Sequence, residues 1–549
     1  MRPFLAIIKS ASSLLVLVNG SLLFLAGIFL PHLTMAQPAG QTQPAAISID
    51  YAVQGKPLNP FWAYFGYDEP NYTYMHDGKK LLTELSALSP TPVYVRCHNL
   101  LTTGDGTPAL KWGSTNAYTE DANGNPVYDW HIVDSIFDTY IQRGMKPLAE
   151  IGFMPEALST HPEPYRHHWK PGVRYDSIYT GWAWPPRNYS RWATLIEKWV
   201  RHCVQRYGEK EVATWLWEVW NEPNISYWKG TEQEYFRLYD TTAAAVKRAF
   251  PSARIGGPAT TGPSWDKAAR WLRDFLDQCA QTNTPLDFIS FHAKGSPKVV
   301  EGHVRMNRKP QLSDVSNGFA IVKASPYKNL PIYITECDPE GCAACGMATN
   351  PENAYRNSTM YSSYTAASFA LIADLADSFQ VNLAGAISWS FEFEGQKWFD
   401  GFRDLATNGV DKPVLNVFRM FGMMRGNRIP AGNAFAAADQ HSLSVMVWNY
   451  TDDDLPGEPL MTSITLTHLP AKKVKVTHYR IDGSHSNAYE VWKKMGSPQN
   501  PTPAQYRQLE AAGHLQQLDA PQLLTVTNGA LTIPVTLPRQ AVSLIKLAF

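Results

Sequence analysis

Two glutamates stand at the ends of short apolar runs, in settings that suit paired carboxylate chemistry. The run Trp217-Glu-Val-Trp-Asn-Glu-Pro-Asn224 is aromatic and β-branched until it turns polar at Asn221 and Glu222, and Pro223 then stops any strand ladder. The run Pro331-Ile-Tyr-Ile-Thr-Glu-Cys337 delivers one carboxylate, Glu336, in the same way. Glu218 lies inside its run among aromatics and reads as structural. A glycosidic bond breaks through an oxocarbenium-like transition state, and a retaining mechanism needs one carboxylate to attack the anomeric carbon and one carboxylic acid to protonate the leaving oxygen, about 5–5.5 Å apart. Like charges that close do not ionise together easily, so one pKa rises. The expectation is an ionised nucleophile at Glu336 and a protonated acid/base at Glu222. Asn221, next to the acid, is placed to bond a sugar 2-hydroxyl.

Such a pair needs a scaffold that brings strand ends together. Eight apolar runs bounded by Pro, Gly or polar residues read as strands, at residues 61–67, 92–98, 146–152, 214–220, 254–257, 287–292, 331–335 and 385–391. Between them lie helical patterns, the clearest at 191–207, which ends at Gly208, and others at 232–250, 265–279 and 355–377. This alternation predicts an α/β fold, a (β/α)8 TIM barrel, whose strand C-termini face the active site. The competing doubly wound sheet calls for a Gly-rich phosphate turn after its first strand, and none is visible. After about residue 430 the texture changes to strands at 442–448, 462–466, 474–481, 523–526, 531–537 and 541–547, with one helical stretch at 503–512. This predicts a C-terminal antiparallel β-sandwich. The expected division is a leader at 1–36, an N-terminal segment at 37–57 whose strand (46–53) is placed to join the sandwich, a catalytic barrel at 58–429 and a sandwich domain at 430–549.

The bulk properties agree with a large folded enzyme. The 549 residues are 44% hydrophobic and 18% charged, which supports a sizeable core. Lys+Arg and Asp+Glu both number 49, so no net field favours nucleic acid or an acidic membrane surface. The 18 Trp fit either a large core or a sugar site, where flat rings stack on the C–H faces of pyranoses. Arg2 and Lys9, an apolar stretch over residues 14–30 and a small-residue exit read as a secretory leader cut after Ala36, with an uncleaved anchor as the alternative. Export to the periplasm or outside the cell follows, with no membrane attachment after cleavage. Of six cysteines, Cys337, Cys342 and Cys345 crowd one loop, where a disulfide or free thiols fit better than zinc, which wants a further pair of ligands nearby. Whether the chain forms a homo-oligomer is left open.

The ordered set of motifs resembles glycoside hydrolase family 39, the β-xylosidases and α-L-iduronidases. The pieces that carry it are Val93-Tyr-Val-Arg-Cys-His-Asn99, the run 217–224, Phe288-Ile-Ser-Phe-His-Ala-Lys-Gly295, Ile332-Tyr-Ile-Thr-Glu336, and Trp389-Ser-Phe-Glu-Phe-Glu394 followed by Phe402 and Lys412-Pro413. The resemblance implies Glu222 as acid/base, Glu336 as nucleophile and Asn221 on the 2-hydroxyl. It also implies His98 on glycone hydroxyls, His292 beside the pair, Glu394 and Glu392 reaching sugar hydroxyls, and Trp389 as a ring platform. Two departures stand out. Xylosidases of the family often carry Tyr where this chain has Lys294, and His-x-Lys-Gly is similar to the iduronidase branch, where such a lysine pairs with a uronate carboxylate. The stretch 336–346 is unlike the compact xylosidase loop. The C-terminal stretch 478–498 is similar to bacterial β-xylosidases. The expectation is an exo-acting β-D-xylosidase on xylo-oligosaccharides, working by double displacement through a covalent glycosyl-enzyme. The alternatives are an α-L-arabinosidase or an α-L-iduronidase on the same scaffold, or more remotely a non-catalytic carbohydrate-binding protein. The mechanism requires no metal and no cofactor.

Overall fold

The computed structural model describes residues 46–53, 55–110, 113–163, 181–341, 345–389 and 391–549. The leader expected at 1–36 and Cys342 lie outside the described residues. Eight strand positions alternate with eight helices. The strands are β1 (Tyr64–Tyr67), β2 (Tyr94–Cys97), β3 (Lys146–Ile151), β4 (Leu216–Val219), β5 (Arg254–Thr261), β6 (Phe288–Lys294), β7 (Pro331–Asp338) and β8, which runs as Asn382–Ala386 and Ser388–Trp389 on either side of Ile387. The helices that follow them are α1 (His76–Ser86), α2 (His131–Ile141), α3 (Tyr189–Tyr207), α4 (Glu232–Ala249), α5 (Asp266–Thr282), α6 (Lys309–Ala324), α7 (Thr359–Phe379) and α8 (Pro413–Gly422). All neighbours in the sheet are parallel. The first part of β8 pairs β7 and the second pairs β1, so the sheet closes on itself as a TIM barrel.

Local chemistry accounts for the elements. In α3, Trp192, Leu195, Ile196, Trp199, Val200 and Cys203 recur every three to four residues and are buried, Asn188 caps the start by accepting from Arg191 N, and Gly208 at φ 87° ends the helix. A capping box of Thr231 and Glu234 starts α4. Inside the barrel Leu148, Leu216, Phe288, Tyr333, Ile387 and Trp389 form one apolar layer beneath the strand ends. It is a packed plug, in which each such side chain contributes about 1.5–3 kcal/mol by leaving water. Among the described residues no helix is long and apolar enough to cross a membrane.

Three strands outrun the apolar runs that announced them. β5 continues from Gly257 to Thr261 through a register shift at Pro258–Thr260, β6 continues to Lys294, and β7 continues through Glu336 to Asp338. In each case backbone pairing carries on after the side chains turn polar. His292, Lys294 and Glu336 therefore stand on paired strand, while Glu222 follows just past the end of β4.

The C-terminal part is a sandwich. One sheet runs Asn427–Ile429, Phe435–Ala438, Ser442–Trp448, Val542–Ala548, Lys473–Ile481, and the other contains Leu460–Thr467 against Leu531–Leu537. Ile47–Asp50 adds to the second sheet, pairing parallel with Leu460–Thr467. Ile49, Val445, Ile464, Leu466, Val474, Leu537 and Ile545 are among the residues that fill the space between the sheets. A helical insertion, Ala488–Lys494 and Pro503–Gly513, leaves the sandwich and packs Trp492 and Leu509 against Trp398, Phe399 and Val410 of the β8–α8 loop.

One position tests how tightly the plug is fitted. A Cβ on Gly66 of β1 would collide with the Trp389 indole. Gly66→Ala is expected to lower stability by roughly 1–3 kcal/mol through overpacking, measured as a fall in the urea midpoint with the slope of the transition unchanged.

Candidate active site

Glu222 reaches the barrel mouth through an unusual backbone path. Trp220 (φ 73°) and Glu222 (φ 45°) both adopt the left-handed region that residues other than Gly enter rarely. The neighbouring strands hold them there. Trp220 N donates to Ile151 O (3.2 Å), Glu222 N donates to Ala259 O (3.1 Å), and the Trp220 indole N–H donates to Tyr227 O (2.9 Å). Asn224 clasps the end of β5, donating to Thr261 O at 2.9 Å and accepting from Thr261 N at 3.0 Å. Glu336 projects from β7, with His292 of β6 as its register partner. The Glu222 carboxylate, the Glu336 carboxylate and the His292 ring each offer an atom within 4.8 Å of the others. That spacing fits the about 5–5.5 Å of retaining pairs and falls short of the 6.5–9.5 Å an inverting enzyme needs for water.

The charge state differs from the expectation of a protonated Glu222. Lys294 Nζ lies 2.5 Å from Glu222 Oε1 and 2.8 Å from Glu336 Oε2, and His292 Nδ1 lies 2.8 Å from Glu222 Oε1. Burial pushes Glu222 up, but the Lys294 charge and the His292 hydrogen bond outweigh it and hold the carboxyl below the ordinary range. Burial likewise pushes Glu336 up, and Lys294, His292 and Arg403 bring it well below. Lys294 itself is opposed by burial yet raised by the two carboxylates. Both catalytic candidates are thus ionised in the free enzyme. The Lys294 ammonium stands between the two carboxylates as their shared counter-ion.

Two buried arginines fix Glu336 from the other side, and neither was singled out from sequence. Arg403, in the β8–α8 loop, donates to Glu336 Oε2 at 3.2 Å, grips Asp338 with Nε (2.5 Å) and Nη2, and reaches Gly341 O at 3.1 Å. Arg96 on β2 meets Glu218 at 2.5 Å, Glu150 at 3.3 Å and Glu336 at 3.6 Å, and donates to Asn221 Oδ1 at 3.1 Å. Glu218 therefore serves the structural role read for it. Burial pushes Glu150 well above the carboxylate range against the pull of Arg96, so it is a neutral acid beneath the site. Burial keeps His98 below its ordinary value, hence neutral at pH 7. His98 Nδ1 lies 2.7 Å from Asp68, and Nε2 lies 2.8 Å from Arg96 Nη1 and 3.0 Å from Glu150 Oε2.

The sequence-derived candidates divide accordingly. Glu222, Glu336, Asn221, His98, His292 and Lys294 converge. Trp389 lies below them, 1% exposed, with the Arg96 and Arg403 guanidiniums 5.0 and 5.7 Å from its ring and the His98 ring at 4.4 Å. Its faces carry cations rather than standing open as a platform. Glu392 and Glu394 point elsewhere. Glu392 is buried and accepts from Gly409 N, while Glu394 accepts from Asp77 N at 2.9 Å at the start of α1. In the cysteine-rich loop, Cys337 is a buried free thiol and Cys345 is disulfide-bonded.

With this geometry in place, likeness to known proteins is informative. A family model described as glycosyl hydrolases family 39 matches residues 45–524. The chain is 29% identical over 475 residues to a beta-xylosidase of Geobacillus stearothermophilus, covering 83% of this chain and 86% of that protein. It is 22% identical over 531 residues to an alpha-L-iduronidase of Mus musculus, covering 85% and 75%. Among solved structures it is similar to the GH39 enzyme from Xanthomonas axonopodis pv. citri, with a TM-score of 0.76, 25% identity, and coverage of 93% of this chain and 99% of that one.

The Arg403 grip yields a stability test. Arg403→Met would leave Asp338 and Glu336 buried beside each other with one cation fewer. A loss of about 3–5 kcal/mol is expected at pH 7, read from urea unfolding, whereas the exposed Arg201→Met on α3 is expected to change stability by about 0.5 kcal/mol or less.

Proposed function

The chain belongs to the glycosyl hydrolases of family 39, and from that premise we propose that it is a retaining, exo-acting β-D-xylosidase on xylo-oligosaccharides. The observation that carries the reading is the pair Glu222 and Glu336, with carboxylate oxygens within 4.8 Å and one lysine between them. Glu336, held in place by Arg403 and Arg96, attacks the anomeric carbon. Glu222 gives its proton to the departing oxygen, then takes one from the water that opens the glycosyl-enzyme. Asn221, fixed by Arg96, presents its amide to the 2-hydroxyl. The choice of xylose rests on the likeness to the Geobacillus enzyme.

Lys294 adds a step. A proton for Glu222 is available only after its charge partner has withdrawn. Substrate entering between the carboxylates displaces the ammonium. Burial and the neighbouring Glu336 charge, both of which raise Glu222, then dominate, and Glu222 takes up its proton. A second reading, an α-L-iduronidase, is favoured by the same Lys294, whose charge would meet a uronate carboxylate on the sugar. An α-L-arabinosidase would need no different catalytic pair.

Activity on nitrophenyl glycosides is the direct test. Turnover of the β-D-xyloside is expected to exceed that of the α-L-arabinosides and the α-L-iduronide, and preference for the iduronide would overturn the xylose assignment. Glu222→Ala is expected to lose on the order of 10²–10⁴ in kcat, and Glu336→Ala at least as much. Added azide should distinguish the roles. It should yield the β-glycosyl azide with Glu222→Ala, where the double displacement survives, and the α-glycosyl azide with Glu336→Ala, where azide replaces the nucleophile.

The pH profile of kcat/KM reports the free enzyme. Lys294 lowers both carboxyl pKa values, so its removal raises both. In Lys294→Met the acid limb, where Glu336 must ionise, and the basic limb, where Glu222 must hold a proton, should both move to higher pH. An unmoved basic limb would mean that Lys294 does not control the protonation of Glu222.

A further inference from the structure

Among the described residues Trp265 is the only Trp, Tyr or Phe that stands exposed, at 61%, in a chain that buries or half-buries every other such ring described. It lies in the β5–α5 connection, at the C-terminal end of the barrel strands, where it precedes the first residue of α5. The open indole thus stands at the end of the barrel where active sites form.

The ring is held as firmly as it is exposed. Trp265 N donates to Gly262 O at 2.9 Å, and the indole packs over Gly262, where a Cβ would lie 3.2 Å from it. Gly262 has φ 70°, so the close approach and the turn both call for glycine. Ser264 N donates to Asp314 Oδ1 of α6 at 2.9 Å, and the Ser264 hydroxyl bonds the same oxygen. The backbone beneath the ring is thereby pinned to the neighbouring helix, and little conformational entropy is lost when a ligand settles on it.

Its place relative to the chemistry fixes which ligand. Gly262 follows Thr261, which exchanges two hydrogen bonds with Asn224, two residues beyond the acid Glu222, and Gly262 N donates to His292 O at 3.4 Å. Glu222 N is itself bonded to Ala259 O of the same strand. Trp265 therefore belongs to the acid's side of the site. The acid protonates the glycosidic oxygen, so the sugar on that side is the one that leaves.

We propose that Trp265 is a stacking platform for a pyranose ring on the leaving-group side, a subsite that lets the enzyme favour oligosaccharides over glycosides with small leaving groups. The proposal rests on the hydrolase reading above. A pyranose offers an apolar C–H face to the indole, and an aromatic of this kind supplies contact area without a charged partner. Stacking of this sort strengthens binding of the leaving sugar while leaving the bond-breaking groups untouched.

The experiment compares two substrates with the same glycone, xylobiose and β-D-xylosyl fluoride, whose leaving group is too small to reach a platform. The readout is the ratio of their kcat/KM values in wild type, Trp265→Ala and Trp265→Phe. The expected result is a fall of five-fold or more in the ratio for Trp265→Ala, with fluoride turnover within two-fold of wild type, and partial recovery in Trp265→Phe. An unchanged ratio, or an equal fall on both substrates, overturns the platform. A wild-type enzyme that cleaves neither xyloside overturns the xylose assignment instead. The same ratio is then measured with the disaccharide and fluoride of the sugar it does cleave, and decides the platform separately.

Discussion

Two carboxylates held within 4.8 Å in a buried site repel each other more strongly than almost any other pair of groups in the protein, and the rest of the site follows from compensating them. Lys294 takes the direct position between them. Arg403 and Arg96 approach Glu336 from behind, each already tied to another acid, Asp338 and Glu218 respectively. Glu150 then enters the same cluster as a neutral group, because burial outweighs the pull of Arg96 on it. Each cation of the cluster thus touches more than one acid. Removing any cation exposes two acids at once.

Holding such charges still requires rigid supports, and at β6 and β7 the barrel supplies them through paired strand. β6 and β7 shift register between Ile334 and Glu336 and then stay paired, so His292 stands opposite Glu336 and Lys294 opposite Asp338. Glu222 stands just past the last residue of β4, and Arg403 comes from the β8–α8 loop. Its support is the helical insertion of the sandwich, which packs Trp492 and Leu509 on Trp398 and Phe399 while Gln499 accepts from Trp398 N at 3.0 Å. The C-terminal insertion therefore packs against the loop that carries Arg403.

What sequence reasoning could see follows from this. Apolar runs announced all eight strands, and the abrupt change to Asn221 and Glu222 after an aromatic run marked the acid. Strand ends were set too early at β5, β6 and β7, because the reading followed side-chain polarity and the hydrogen-bond ladder does not. Arg403 carried no local signal. It lies in an irregular loop, and its partners are more than sixty residues away. The protonation of Glu222 was misjudged for a related reason. The rule that one of two close acids stays neutral holds when they have no counter-ion, and the reach of Lys294 from the next strand is a tertiary fact. Glu392 and Glu394 sat in a motif that suggested the sugar, yet the backbone N–H groups of Gly409 and Asp77 claim them.

On the mechanism proposed above, the lysine also explains how a site this charged can discriminate. An enzyme gains rate only from interactions stronger in the transition state than in the ground state. The Lys294 bridge is strongest in the empty enzyme and must open before Glu222 can carry a proton. A ligand that enters without filling the space between the carboxylates leaves the bridge closed and meets no acid. A ligand that fills it must offset the cost of separating buried charges with its own contacts, and the nearest other anion, Asp338, is already gripped by Arg403. That cost is subtracted from substrate binding. It returns in the transition state, where the positive charge that develops at the anomeric carbon takes the position between the carboxylates that the ammonium gave up. Under the proposed double displacement, the resting lysine stands where the oxocarbenium charge would form.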